Sequence, residues 1–174
     1  MRERPPRPGR SRSLYTAEQR ARRDRSVWTV VQGVLAPLQF GVFVVSLALV
    51  LHFLWTGSGR EAATLSVVVK TVALYAIMIT GSIWEKDVFG KYLFVEAFFW
   101  EDLFSLLVLA LHTAYLAALF LGLLDAQGLM LLALAAYAAY VVNAAQFLLK
   151  LRAARLEQNP RRRFGESVQP GLAP

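Results

Sequence analysis

Four long runs with few charges, roughly residues 28–55, 62–84, 98–122 and 128–151, constrain this chain more than any other feature. Each holds about 20 residues or more, enough for a helix to cross a hydrocarbon core about 30 Å thick. The runs are continuous rather than polar at every second residue, which excludes a membrane β-barrel and leaves helices as the spanning elements. With 56% hydrophobic and 18% charged residues, the chain is too apolar for an ordinary water-soluble domain of its length. Links of about 5 to 13 residues join the runs. Such short links predict an all-α fold, an antiparallel four-helix membrane bundle.

Charge orients the bundle. Residues 1–27 hold nine Arg and no apolar stretch, so no cleaved signal is expected and the first run stays as an anchor. Residues 150–174 carry six basic side chains against Glu157 and Glu166. A positive excess at both ends predicts that both termini are cytoplasmic, which requires an even number of spans. The 85–97 loop then faces the cytoplasm and the connections near 56–61 and 123–127 face the other side. Beside a membrane such basic segments contact anionic lipid head groups rather than nucleic acid. The composition of 1–13 and 158–174, rich in Arg, Pro, Ser and Gly, predicts disordered tails flanking a membrane domain at 14–157. The absence of Cys excludes disulfides, thiolate catalysis and Cys-held metal, and no Gly-rich loop suits a nucleotide.

A polar group inside a span costs about 2.5 kcal/mol or more on insertion scales, so each one is a functional candidate. In the first span Gln32, Gln39 and Ser46 recur every seven residues and share one face. Gly33, Pro37 and Gly41 beside them permit close approach or a kink that makes room for a flat ligand. Lys70 in the second span either snorkels to the interface or has a buried role. That span ends in Trp84, Glu85 and Lys86; Trp84 fits an interfacial aromatic belt with Trp28 and Trp100. In the third span Glu101, Ser105, His112 and Tyr115 share one face, with Glu101 and His112 about 16 Å apart along the axis. Asp102 points about 100° away from Glu101, towards another neighbour. In the fourth, Asn143 and Gln146 lie about 60° apart and face one cavity. The predicted topology puts Gln32, Gln39, Glu85, Glu101, Asp102, Asn143 and Gln146 in the cytoplasmic half, which predicts a site for a membrane-soluble ligand open to that leaflet.

These residues also carry a resemblance. The segments Gln32–Phe40, Lys70-Thr71, Gly81–Lys86, Phe98–Asp102, Leu111–Tyr115 and Tyr140–Lys150 resemble those of the 3-vinyl bacteriochlorophyllide hydratases of purple phototrophic bacteria, over about residues 14–157. The resemblance implies addition of water to the 3-vinyl group of chlorophyllide a or a related bacteriochlorin, giving a 1-hydroxyethyl group in bacteriochlorophyll a synthesis. It implies a multi-pass enzyme of the bacterial inner, intracytoplasmic membrane that works beside other enzymes of the pathway. It implies no cofactor of its own; the magnesium arrives with the substrate.

Such a hydration needs a general acid for the terminal carbon, a place for water, and a base. A carboxylic acid in an apolar bundle retains its proton, which suits Glu101 or Asp102, with the other carboxylate or Glu85 orienting the water. His112 is either the base or an axial ligand to the substrate magnesium. Lys86 and Lys150 are available to the free propionate, with Lys91 and Arg152 near them. Gln32, Gln39, Trp100, Tyr115, Asn143 and Gln146 complete the candidate substrate-binding set, and Phe98, Phe99, Tyr137 and Tyr140 are available as walls for the flat ring. The rival to an enzyme is a non-catalytic chlorin carrier or assembly subunit, for which paired acids are unnecessary. Reporter fusions after Arg155 are expected to score cytoplasmic and fusions near Gly57 or Ala126 to score on the other side; the reverse pattern would overturn the orientation.

Overall fold

Three of the described helices end where a glycine takes a left-handed backbone. In a computed structural model, which describes residues 15–96 and 98–166, the helices are α1 (Ala17–Arg25), α2 (Val27–Thr56), α3 (Arg60–Phe89), α4 (Phe99–Leu121) and α5 (Ala126–Glu166). Four are long and apolar enough to cross a membrane, the fourth over Ala126–Lys150. Gly90 ends α3 at φ 84° and Gly122 ends α4 at φ 63°, a conformation that costs a residue with a Cβ about 1–2 kcal/mol. The Asp125 side chain accepts from the Gly128 N–H at 2.7 Å and so caps the start of α5.

Two boundaries differ from expectation. The second span continues through Phe89, so Glu85 sits on a helix instead of opening a loop, and the connection shrinks to residues 90–98. The last helix runs on to Glu166, over Leu151–Gln158 whose Leu, Arg, Ala, Glu and Gln are good helix formers, and into the segment expected to be disordered. The remaining tail residues, 1–14 and 167–174, lie outside the described residues.

The surface and interior are reversed relative to a soluble bundle. Leu38 and Val45 on α2, Val72 and Ile79 on α3, Phe120 on α4 and Leu148 on α5 are exposed, while Gln39, Lys70, Glu85, Glu101, Asp102, His112 and Asn143 are buried. Lipid solvates aliphatic side chains as well as a protein core does, so apolar faces turn outward and polar ones turn inward, where partners exist. The most extensive packing is α2 on α3 and α4 on α5; the two pairs meet through lighter contacts of α2 with α5 and of α3 with α4. Hydrogen bonds of Trp84 with Thr29, Gln32 with Thr80 and Ser46 with Ser66 set the register of α2 against α3.

Apolar clusters close the interior at two levels. One joins Phe43, Val50, Val67, Tyr115, Met130 and Tyr137. The other joins Tyr15, Val88 and Phe98, with Trp84, Phe89 and Phe147 against them. The short helix α1 holds this second cluster. The Thr16 side chain accepts from the Gln19 N–H and the Gln19 side chain accepts from the Thr16 N–H, a capping box. Arg23 lies 4.9 Å over the Tyr15 ring, and Ser26 bonds Asp87 on α3. Phe98 touches the rings of Tyr15, Trp84, Phe89 and Phe147. Phe98→Ala is expected to cost about 3 kcal/mol by leaving a cavity, whereas Phe120→Ala on the lipid face costs little; thermal unfolding in detergent compares the two, and equal losses would show that the Phe98 cluster is not a packed core.

Candidate active site

Between the two apolar clusters lies a band of buried polar side chains. On α4, Glu101, Asp102, Ser105, His112 and Tyr115 all face inward, so the shared face expected from their spacing is present, and Asp102 joins it. From α2 come Gln39 and Ser46, from α3 Lys70 and Glu85, and from α5 Asn143, all buried. Gln32 is half-buried and donates to Thr80 at 2.7 Å, so it ties α2 to α3. Ser46 bonds both Ser66 and Tyr137. Asn143 donates to Ser105 at 2.8 Å, joining α5 to α4.

The three carboxyl groups have different surroundings. Glu101 receives Lys150 Nζ at 2.7 Å, and that ammonium also lies 4.9 Å from the Phe98 ring. Asp102 accepts the Phe94 N–H at 2.7 Å, holding Phe94 at φ 58°, a left-handed backbone unusual for a residue with a side chain. Glu85 faces Asp102 within hydrogen-bonding reach, while its Oε2 is buried with no partner. Two carboxyl groups can hydrogen-bond only if one carries a proton, because a carboxylate accepts and does not donate. A hydrogen bond between Glu85 and Asp102 therefore requires a proton on one of them, whereas Glu101 is half of an ion pair.

His112 lies deeper. Its Nδ1 stands 2.8 Å from the Val108 carbonyl oxygen, which can only accept, so Nδ1 carries the hydrogen. In the neutral ring that leaves Nε2 as a lone pair, and this buried atom has no partner among the described residues. The ring lies 5.9 Å from that of Tyr137. Lys70 does not snorkel: it has no exposed surface, and its Nζ sits 3.9 Å over the Tyr140 ring. Gln39 Nε2, Asn143 Oδ1 and Gln146 Oε1 are also buried without partners among the described residues.

Other expected site residues lie elsewhere. Trp100 is 64% exposed and packs edge-on against Phe99, because one residue from Glu101 is a rotation of about 100° towards lipid. Lys86 points out and donates to the Gly90 carbonyl, and Lys150 is engaged by Glu101. Pro37 and Gly41 line an apolar groove of about 700 Å³ between α2 and α3, with Ser66 its sole polar lining residue; it faces away from the carboxyl groups. Helical spacing alone did not mark Lys70 as a site residue or pair Lys150 with Glu101, since each depends on which neighbouring helix the face meets.

The family model of the 2-vinyl bacteriochlorophyllide hydratases matches residues 15–153. A 2-vinyl bacteriochlorophyllide hydratase of Rhodobacter capsulatus is 64% identical over 146 residues, covering 84% of this chain and 85% of that protein. One of Cereibacter sphaeroides is 65% identical over 147 residues, covering 84% and 91%. No solved structure matches the chain.

The Glu101–Lys150 pair generates a stability prediction. Each of Glu101→Gln and Lys150→Met leaves a charge without its partner, while the double variant leaves none, so a double-mutant cycle read by thermal unfolding is expected to give a coupling of about 1–3 kcal/mol. Additive losses would mean that the two side chains do not interact in the folded protein.

Proposed function

The chain belongs to the 2-vinyl bacteriochlorophyllide hydratase family, and from that premise we infer that it adds water across the vinyl group of a chlorophyllide-type macrocycle to give a 1-hydroxyethyl substituent. The vinyl position numbered 2 in those names and 3 above is one substituent in two ring-numbering conventions. We further propose chlorophyllide a or a related bacteriochlorin as the substrate and Glu85 with Asp102 as the acid–base pair. The observation that carries the residue assignment is the contact of Glu85 with Asp102, with Oε2 of Glu85 left unpartnered.

In this reading the shared proton passes to the terminal carbon of the vinyl group, making it a methyl. Positive charge develops on the carbon next to the ring, where the macrocycle delocalises it. A water molecule held by the vacated carboxylate attacks that carbon, and the proton it loses restores the pair. Protons balance, and no redox step occurs. Asn143 Oδ1 and Gln146 Oε1 supply acceptors for the water. His112 Nε2, a lone pair directed into the bundle, serves as axial ligand to the magnesium that the substrate carries.

Membrane placement follows the same lines. The register of α2 against α3, and of Ser105 with Asn143 and Glu101 with Lys150 across α4 and α5, supports an antiparallel bundle. The basic residues of α1 and of the C-terminal segment support two cytoplasmic termini on anionic lipid of the bacterial inner membrane.

Purified protein incubated with chlorophyllide a is expected to yield a product one water heavier. Asp102→Asn and Glu85→Gln are each expected to lower turnover by about 100-fold with binding kept, and Glu101→Gln by less. His112→Phe is expected to weaken binding of chlorophyllide a but not of its magnesium-free analogue. Undiminished turnover in both Asp102→Asn and Glu85→Gln would remove the pair from the chemistry, and no hydrated product from wild type would remove the activity.

A further inference from the structure

The buried Lys70 has no role in the reaction as derived above. It lies wholly inside the bundle, and its ammonium has the Tyr140 ring at 3.9 Å and no hydrogen-bond partner or ion pair among the described residues. An aromatic face offsets part of the cost of burying an ammonium, yet three N–H groups remain without acceptors. A buried charge is kept when something pairs with it.

Two side chains near it, His112 and Gln39, also carry a buried nitrogen with no partner among the described residues. Lys70 lies near His112. Gln39 falls midway between the Gln32–Thr80 and Ser46–Ser66 contacts, at the level of Ala73, within a turn of Lys70, and its Nε2 is a second buried donor with no acceptor. The side facing α4 and α5 offers Tyr140, His112 and Tyr137, none of them a carboxylate. The buried carboxyl groups gather elsewhere: Glu85 is 15 positions further along α3, about 22 Å of helix rise. That rise, less the reach of the two side chains, is comparable to the breadth of a tetrapyrrole, and His112 lies between the two ends. The lysines nearer the bundle end, Lys86 and Lys150, have partners within the chain.

We infer that Lys70, with Gln39 beside it, receives the free carboxylate of the substrate's acid side chain, so that the macrocycle is anchored in the depth of the bundle by an ion pair while its vinyl rim reaches Glu85 and Asp102. The inference rests on the hydratase reading and adds a specificity-determining cation to it. It makes the protein selective for the free acid over an esterified pigment.

The test titrates the full-length protein in detergent with chlorophyllide a and with its methyl ester, which masks the carboxylate and leaves the ring unchanged. Wild type is expected to bind the acid about tenfold or more tightly than the ester. Lys70→Met is expected to bind the two equally, at the wild-type affinity for the ester, and Lys70→Arg to keep part of the preference. Equal binding by wild type overturns the inference, as does a preference that survives in Lys70→Met. A loss shared equally by acid and ester in Lys70→Met assigns the contact to a ring carbonyl and also overturns it. If Lys70→Met is not recovered folded, Lys70→Gln is read in the same way beside the wild-type comparison. Hydration by wild type in the same preparation is scored separately: activity without a Lys70-dependent preference sinks this inference alone, and a preference without activity sinks the hydratase reading.

Discussion

Hydrocarbon cannot solvate a polar side chain, and the arrangement of this protein follows from that constraint. Seven ionisable or amide side chains from four helices can be kept in a bundle of this size only if all of them turn towards one another, which fixes the rotation of every helix about its axis. The outward faces are then left to Val, Leu, Ile and Phe, which lipid accepts without preference. Packing in the lipid-facing direction contributes little specificity. The polar interior contributes most of it, through Gln32 with Thr80, Ser46 with Ser66 and Tyr137, Asn143 with Ser105 and Lys150 with Glu101.

The same economy separates the carboxyl groups by task. Two neighbours in sequence, Glu101 and Asp102, meet different helices because one residue turns an α-helix by about 100°. Glu101 finds an ammonium on α5, and Asp102 finds a second carboxyl group on α3 together with the Phe94 N–H. An ion pair commits a carboxylate to its charge, whereas a carboxyl pair keeps a transferable proton. The chemistry proposed for the site needs the second condition, and Glu85 and Asp102 stand where it could be met, next to the ion pair.

Much of this was legible in the sequence, and the remainder was not for definite reasons. Span length and the spacing of Glu101, Ser105, His112 and Tyr115 depend on one helix at a time, and both agree with the structure. The depth of Lys70 and the partner of Lys150 depend on two helices and their register, which periodicity does not contain. Trp100 was expected in the site as an aromatic wall for the flat ring, though the same rotation that separates Glu101 from Asp102 turns the indole to lipid. The short helix α1 had a readable signal, the Thr16–Gln19 capping box, hidden by the charge of its surroundings. Gly90 likewise marks the end of α3, but an apolar run that had already turned polar at Glu85 made the earlier boundary look natural.

Glu85 lies one turn from the end of α3, and Glu101 and Asp102 open α4, so the carboxyl groups stand at the boundary of the hydrocarbon rather than at its centre. A hydration has two reactants that do not share a solvent: the pigment dissolves in the bilayer and water is excluded from it. In the proposed reaction a site at that boundary would be fed by both phases at once, the macrocycle arriving sideways within the membrane and the water from the adjoining aqueous face. Neither reactant has to cross the medium of the other. The supply of one reactant would then be independent of the supply of the other.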